Sequence, residues 1–193
     1  MRIVTVAVAA GLFLATSLLS TPAVAGSAPA EEQTGTDSAG FYAGASYVNA
    51  FVDDNGAPGW GVNLGYSFNR YFGVEGGWIS LGSLEFVGGD SDVDGPQLVG
   101  VLTYPISDLF RAKKPSTFSL VATAGVFFWD MEDLDNDGND FTFSLGLKHH
   151  LKGDVTVRLE YEKFFGLEDV GGRDVAAEAI TLSLNYEFGS FGL

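Results

Sequence analysis

Apolar and polar residues alternate along most of the chain after its first forty residues. From Ile180 to Phe188 every second side chain is apolar, and Thr, Ser, Asn and Glu stand between them. Successive side chains of a β-strand point to opposite faces, so this segment has one apolar and one polar face. The same period of two recurs along the chain and predicts eight strands. They are 41–50, 60–68, 72–78, 97–104, 118–128, 141–148, 155–162 and 180–188.

Links of two kinds are predicted between these strands. Three stretches rich in Gly and acidic residues are predicted to be long loops: 82–95, 130–140 and 165–178. Residues 69–70 and 152–154 are predicted to be tight turns. The link 106–116 carries a basic cluster, Arg111, Lys113 and Lys114, for which a solvated turn and contact with anionic lipid headgroups both fit. After the first forty residues we find no helical period.

A membrane barrel and a soluble sandwich both produce alternating strands, and three features favour the barrel. The number of strands is even, and their lengths suit a tilted crossing of the bilayer. Aromatic residues cluster near strand ends, as girdle residues do. The polar faces carry mainly Gly, Ser, Thr and Asn, which fit the interior of a narrow barrel. The predicted fold class is all-β: an eight-stranded antiparallel transmembrane up-and-down β-barrel over residues 41–193.

The first residues predict export from the cytoplasm. Arg2 precedes the uncharged apolar run from Ile3 to Leu19, and Ala23 and Ala25 stand at the two positions that a signal peptidase reads. We therefore predict a signal peptide over residues 1–25, cleaved before Gly26, and a flexible leader over 26–40. An uncleaved membrane anchor is disfavoured because no basic stop-transfer flank follows the run.

Composition and charge narrow the function further. The net charge is −15, which argues against nucleic acid because binding to phosphates relies on Lys and Arg. No cysteine is present, so stability must come from packing or from the membrane. No pattern in the chain predicts a cofactor.

Several motifs resemble those of the OmpA-like outer-membrane β-barrel family. Residues 97–108, 158–161 and 182–189 resemble its fourth, seventh and closing strands, and Phe41-Tyr42-x-Gly44-Ala45 resembles its opening strand. The resemblance implies the outer membrane of a Gram-negative cell. The implied partners are membrane lipids, lipopolysaccharide, barrel-assembly machinery and periplasmic chaperones, with the barrel as a monomer. Tyr186 and Phe188 resemble the C-terminal aromatic signal for insertion. Since Leu193 follows so soon, we expect a stand-alone barrel without a peptidoglycan-binding domain.

Six charged residues fall on the polar faces and are predicted to meet inside the barrel: Glu75, Lys148, Arg158, Glu160, Glu162 and Glu187. Charges in a narrow interior must pair, because an isolated buried charge is costly. The pair Glu75 and Arg158 is the one we expect. In the OmpA-like family, matching residues belong to a network proposed to gate a narrow pore. Here Val101 stands where that family has a lysine and Lys148 where it has a glutamate. A static network that rigidifies the barrel is the favoured interpretation.

A second candidate site is the acidic segment that contains Asp133, Asp135, Asp137 and Asp140. Carboxylates at alternate positions followed by glycine resemble the first half of a calcium loop. Ser144 stands where such a loop has its bidentate glutamate, so an acidic solvated loop is the favoured interpretation. A surface calcium site and divalent bridging to lipopolysaccharide are the alternatives.

Three functions fit these features. The first is a non-enzymatic outer-membrane barrel with a structural, envelope or surface-interaction role. The second is a narrow pore or small-molecule conduit gated by the interior salt bridges, although eight strands enclose little free space. The third is a lipid A-modifying enzyme, which would need a catalytic set. His149 and His150 are adjacent and point to opposite faces, and no Ser/His/acid set accompanies them.

Overall fold

Eight antiparallel strands form a closed barrel, which confirms the predicted fold class. The computed structural model describes residues 39–52, 55–86, 89–110, 116–131, 136–151, 153–168 and 174–188. The strands are β1 (Gly40–Val52), β2 (Asn55–Ser67), β3 (Phe72–Phe86), β4 (Gly89–Pro105), β5 (Phe118–Met131), β6 (Asn136–His150), β7 (Val155–Glu168) and β8 (Asp174–Phe188). Each strand pairs with the next, and β8 pairs with β1 to close the sheet. The predicted signal peptide and all but the end of the leader lie outside the described residues.

The base of the barrel is the end where β1 begins and β8 ends. Above it, the outward positions of every strand are apolar, and many carry large side chains that are half-exposed in the isolated chain. On β5 this band runs from Phe118 to Phe128. Ten residues at ~3.4 Å per residue and a ~40° tilt span about 26 Å, which matches the apolar band of an outer-membrane barrel. The predicted lipid-facing surface is therefore present.

Near the top of the barrel the polarity of both faces reverses. Asp92, Asp94 and Asp130 point outward there, although the same strands carry apolar outward residues below. Most inward side chains at this level are apolar and buried, whereas most of those below are polar, apart from a small cluster of Val99, Val101 and Val121. The top of the barrel is thus built like a water-soluble barrel that continues the membrane-spanning part.

The buried apolar side chains of the top form one cluster, here called the apolar core. Its members are Val48, Ala50, Val52, Ala57, Ile79, Leu81, Leu84, Val93, Phe127, Trp129, Met131, Phe164, Leu167, Ala177 and Ala179. The rings of Phe127 and Phe164 meet edge to face with centroids 5.1 Å apart. Sequence reasoning assigned polar faces only to the eight predicted strands and placed much of this level in loops, so it did not predict the apolar core. Burial of apolar area is what extends the sheet beyond the membrane.

The predicted long loops 82–95, 130–140 and 165–178 are mostly strand, so these predictions are wrong. β3 and β7 continue past register shifts between Ser80 and Gly82 and between Phe164 and Leu167. Each shift inserts one extra residue and reverses the alternation, which turns Leu84 and Leu167 inward. Gly82 stands at the first shift with φ of 79°, a conformation that favours glycine. A search for strict alternation therefore ends at such a bulge, although the strand continues beyond it.

The links at the base differ in length. Only four residues separate β2 from β3 and β6 from β7, but the link after β4 is longer and begins with the helix α1 (Ile106–Leu109). This helix corrects the expectation of a chain without helices. In the part of the chain that the structure describes, no helix is long and apolar enough to cross a membrane. The strands project beyond the apolar band at the top, and in outer-membrane barrels the projecting hairpins lie on the extracellular side, so we assign the base to the periplasm.

Candidate functional site in the barrel interior

An ion pair crosses the interior of the barrel below the apolar core. Arg158 Nη1 on β7 lies 2.7 Å from Glu75 Oε2 on β3, and Arg158 Nη2 lies 2.5 Å from Glu160 Oε2. β3 and β7 stand four apart in the ring of eight strands, so this contact joins opposite walls. The Arg158 side chain is only 6% exposed. Its two carboxylate partners are what make a guanidinium tolerable at this depth.

Tyr42 supports Glu75 from β1, a strand that is not paired with β3. Its hydroxyl on β1 donates to Glu75 Oε2 at 2.9 Å. The ring reaches that carboxylate over β2, where Gly65 is the direct neighbour of both Tyr42 and Glu75. A Cβ atom on Gly65 would collide with the Tyr42 ring. The hydrogen bond between Tyr42 and Glu75 therefore requires glycine at residue 65.

Glu160 and Glu162 on β7 accept hydrogen bonds from neutral side chains of β6 and of the more distant β4. Ser144 Oγ lies 2.7 Å from Glu160 Oε1 and 2.7 Å from Thr123 Oγ1. Thr142 Oγ1 donates to Glu162 Oε1 at 2.7 Å, and Gln97 Nε2 donates to the same oxygen. The network therefore extends through β4, β5 and β6 and fixes both carboxylates in place.

The remaining two predicted interior residues pair with each other nearer the base. Lys148 Nζ lies 2.7 Å from Glu187 Oε1, and both side chains are more exposed than those of Arg158 and Glu75. Lys148 Nζ also lies 6.0 Å from the centroid of the Tyr42 ring. All six predicted residues point inward. Five of them form two ion-paired groups, Glu75–Arg158–Glu160 and Lys148–Glu187, and the carboxylate of Glu162 is hydrogen-bonded only to neutral side chains.

A small polar cavity of about 40 Å³ lies among these groups. Glu75, Arg158, Glu160, Glu162 and Thr181 belong to its lining. Arg158 Nε and Thr181 Oγ1 are buried without a hydrogen-bond partner within the described chain. Since a water molecule needs about 10–15 Å³ of such space, the cavity has room for roughly three. The polar lining suits a few bound water molecules in the barrel interior, and the cavity is too small to be a wide passage.

The acidic segment is only partly described, since Asp133 and Asp135 lie outside the described residues. Asp137 is on the outer face of β6, directly opposite Asp130 of β5, whereas Asp140 is on the inner face opposite Phe127. Asp140 Oδ1 accepts a hydrogen bond from the backbone N–H of Phe141 at 2.8 Å. The two carboxylates do not converge on one point. Across the described residues, no group of three or more His, Cys, Asp or Glu side chains is arranged to hold a metal ion.

The histidines and the C-terminal aromatics lie at the base. His149 points outward and stacks on Phe118 with ring centroids 4.1 Å apart, and the inward His150 ends β6. Tyr186 and Phe188 also point outward, and their rings meet edge to face at 5.3 Å. Both aromatics are thus accessible from the lipid side at the end of the closing strand, and their role in insertion stays a prediction.

Comparison with known proteins identifies the family. The profile described as "Outer membrane protein beta-barrel domain" matches residues 12–188, which is most of the chain. The chain belongs to this outer membrane β-barrel family. It is accordingly a protein of the outer membrane of a Gram-negative bacterium, and the predicted localisation and the resemblance to OmpA-like barrels are confirmed.

One relative is similar to this chain in sequence, and two solved structures are similar to it in fold. Outer membrane protein A of Klebsiella pneumoniae is 28% identical over 165 residues, which cover 74% of this chain and 46% of the relative. The chain thus spans about half the length of that protein. Neisserial surface protein A is similar in fold, with a TM-score of 0.51 and 12% identity, over 78% of this chain and 97% of the other. The N-terminal barrel of Pseudomonas aeruginosa OprF has a TM-score of 0.50 and 11% identity, over 76% and 97%.

Sequence reasoning missed the neutral members of the interior network. Tyr42 and Gln97 both stand on predicted polar faces, so the alternation carried a signal for them. Tyr42 is a large side chain among Gly44 and Ser46 on its face, and only a glycine on the next strand lets it lie flat. That combination could have been sought in the sequence. The contact with Glu75 could not, because it depends on strand register.

Proposed function

We propose that this protein is a non-enzymatic and non-conducting barrel that supports the outer membrane and contacts lipopolysaccharide at the cell surface. The observation that carries the proposal is the closure of the interior at two successive levels. The ion-paired network fills the middle of the barrel, and the apolar core fills the top.

The apolar core bears most directly on conduction. An ion that passed the middle of the barrel would next meet side chains such as Leu81, Phe127 and Met131, which are fully buried. Stripping water from an ion in such surroundings is very costly. A change in the salt bridges of the interior network would leave the apolar core above it intact. The alternative of a pore gated by the interior network is therefore disfavoured.

Single-channel recording with Glu75→Ala separates the two functions. We expect neither the native protein nor the variant to conduct in planar bilayers, because the apolar core closes the barrel above the altered network. Glu187→Ala is the matched control, since it removes a carboxylate of the network near the base. Conductance that is absent from the native protein and gained in Glu75→Ala alone would support the gated pore and contradict our proposal.

Contact with lipopolysaccharide is supported by the carboxylates outside the apolar core. Asp94 on β4 faces Asp130 on β5, which in turn faces Asp137 on β6. Side chains directly opposite each other on one face are ~5 Å apart at Cβ, so this row places like charges together. Lipopolysaccharide phosphates are also negative, so contact requires a divalent cation that is bound jointly by a phosphate and a carboxylate, since the row alone does not form a metal site. We propose this cation-bridged contact as the surface role.

Asp130→Asn tests the row of carboxylates through its stability. Without divalent ions, we expect the variant to be more stable than the native protein by about 0.2–1 kcal/mol, because direct like-charge pairs are relieved. With added Mg²⁺ this difference in stability should shrink, because the ion stabilises the native row of three carboxylates more than the row that lacks Asp130. Urea unfolding of the protein in lipopolysaccharide-containing vesicles measures both. Asp154→Asn at the base is the control, and equal Mg²⁺ effects in both variants would argue against bridging.

A further inference from the structure

Glu162 on β7 is buried in the barrel interior without a cation beside it. The residue points to the inner face and is only 6% exposed. Among the described residues, no Lys, Arg or His forms an ion pair with it, whereas Glu75 and Glu160 share Arg158. We propose that Glu162 is a proton-binding site of the barrel interior and that the proton is bound at neutral pH.

The balance of charge around the small polar cavity supports this proposal. Three carboxylates, those of Glu75, Glu160 and Glu162, line the cavity together with a single guanidinium, that of Arg158. If all were ionised, three negative charges would face one positive charge. An unbalanced charge in surroundings of low dielectric constant is very costly. A proton on one of the three carboxylates halves the excess of negative charge.

The other titratable side chains of the inner face do not supply the missing positive charge. Lys148 on β6 lies nearer the base and is paired with Glu187 on β8. Tyr42 on β1 is neutral and donates its hydroxyl to a carboxylate of the same group. His150 ends β6 at the base, and Asp140 adds a further acidic group at the other end of β6. The described inner faces of β2, β4 and β5 carry no Lys, Arg, His, Asp or Glu.

The hydrogen bonds of Glu162 leave one of its two oxygens for the proton. Thr142 Oγ1 donates to Oε1 at 2.7 Å, and Gln97 Nε2 donates to the same oxygen. Two donors on Oε1 fit the carbonyl oxygen of a carboxylic acid that carries its proton on Oε2. The resulting O–H group needs an acceptor, and the polar cavity that Glu162 lines has room for a water molecule in that role.

Holding this proton costs less than ionising the group. An exposed glutamate releases its proton near pH ~4.3, so retention at neutral pH costs roughly 500-fold in the equilibrium constant. An ionised carboxylate without a cation in a low-dielectric interior costs far more, and such groups become neutral instead. Glu75 and Glu160 differ from Glu162 in this respect, because the Arg158 guanidinium stabilises their ionised forms.

Glu162→Gln in the full-length barrel tests the proposal through the pH dependence of unfolding. Glutamine keeps the size of the side chain and an oxygen for the donors on β4 and β6, but it binds no proton. The folded native protein holds a proton that the unfolded chain releases, so native stability falls as the pH rises. From about pH 5 to about pH 7 we expect the native folding constant to fall roughly 50–100-fold relative to that of the variant, measured by guanidinium unfolding in lipid vesicles.

Glu187→Gln is the matched control, because it removes an interior carboxylate that has a cation. The Lys148 ammonium favours the ionised form of Glu187, so the folded protein holds that proton less tightly than the unfolded chain does. The native folding constant should therefore not fall relative to this variant over the same pH range. A constant ratio for Glu162→Gln, or an equal fall in both comparisons, would overturn the proposal.

Infrared spectroscopy gives a second reading that does not require the variant to fold. At neutral pH the native protein should show the C=O band of a carboxylic acid, and the band should shift when glutamate is isotope-labelled. The band should be missing from Glu162→Gln and present in Glu187→Gln. The proposal is overturned if the native protein lacks a label-sensitive band, or if the band persists in Glu162→Gln. Stability that follows the concentration of Na⁺ instead of the pH would indicate a bound cation and would overturn it as well.

Discussion

Replacing Arg158 by leucine should lower the free energy of unfolding by about 3–5 kcal/mol at neutral pH. The substitution leaves Glu75 and Glu160 without their shared cation in the barrel interior, where the few water molecules that fit screen charges far less than bulk solvent does. Tyr42 and Ser144 would still donate hydrogen bonds to these carboxylates, but neutral donors do not balance two negative charges. Guanidinium unfolding in lipid vesicles, followed by tryptophan fluorescence, gives the loss directly.

The Arg158→Leu variant should also acquire a pH dependence of known sign. A carboxylate buried without a cation binds a proton more tightly in the folded than in the unfolded chain. The folded state then holds more protons, so stability falls as the pH rises. The loss relative to the native protein should be smaller in acid than at neutral pH.

Lys148→Leu is the matched control for Arg158→Leu. Lys148 is the direct cross-strand neighbour of Arg158, but it pairs with a single, more exposed carboxylate, that of Glu187. Its loss should cost clearly less. Adding Glu75→Gln to Arg158→Leu should restore part of the lost stability, because one unpaired charge disappears. A small, pH-independent loss in Arg158→Leu would show that the pair does not stabilise the barrel.

Replacing Phe127 by alanine should cost about 3–5 kcal/mol as well, through the apolar core. Phe127 is fully buried, and its ring packs against that of Phe164 on β7, two strands away. Alanine would leave a cavity between strands that cannot collapse, because the closed sheet fixes the distance between its walls. Urea or guanidinium unfolding measures the loss, and a lowered temperature of the heat-modifiable gel shift should accompany it.

The next residue provides a control of the same type. Phe128 points outward at the upper edge of the apolar band and is 47% exposed in the isolated chain. Phe128→Ala removes the same atoms without opening an internal cavity, so its cost should be distinctly smaller. Equal costs for the two alanine variants would mean that the top of the barrel is not held together by its core.

Much of the membrane-spanning part could be predicted from the sequence. Within the apolar band the alternation is uninterrupted, and one face of each strand meets lipid, so the period of two survives in the residues themselves. Parity alone therefore directed Glu75 and Arg158 inward. The pairing of Lys148 with Glu187 was not predicted, because it depends on which residues of β6 and β8 reach the same level across β7.

The top of the barrel was misread as loops for a physical reason. Its outward residues, such as Ser83, Asp92 and Asp130, are of types common in turns, and the extra residues near Gly82 and before Leu167 break the period. Leu84, Val93 and Leu167 look isolated in the sequence. Only when the strands are brought together do they join Phe127 and the other members of one buried cluster.

The sequence by itself determined the class of fold, the compartment and the inward position of the six charged residues. These follow from local properties: alternation, composition and family motifs. The tertiary structure alone decided which charges meet, how far the strands project beyond the membrane and that the interior closes with an apolar core. Those features depend on register, bulges and contacts between opposite walls. They are decided by interactions between residues that are far apart in the chain, and no local sequence pattern contains that information.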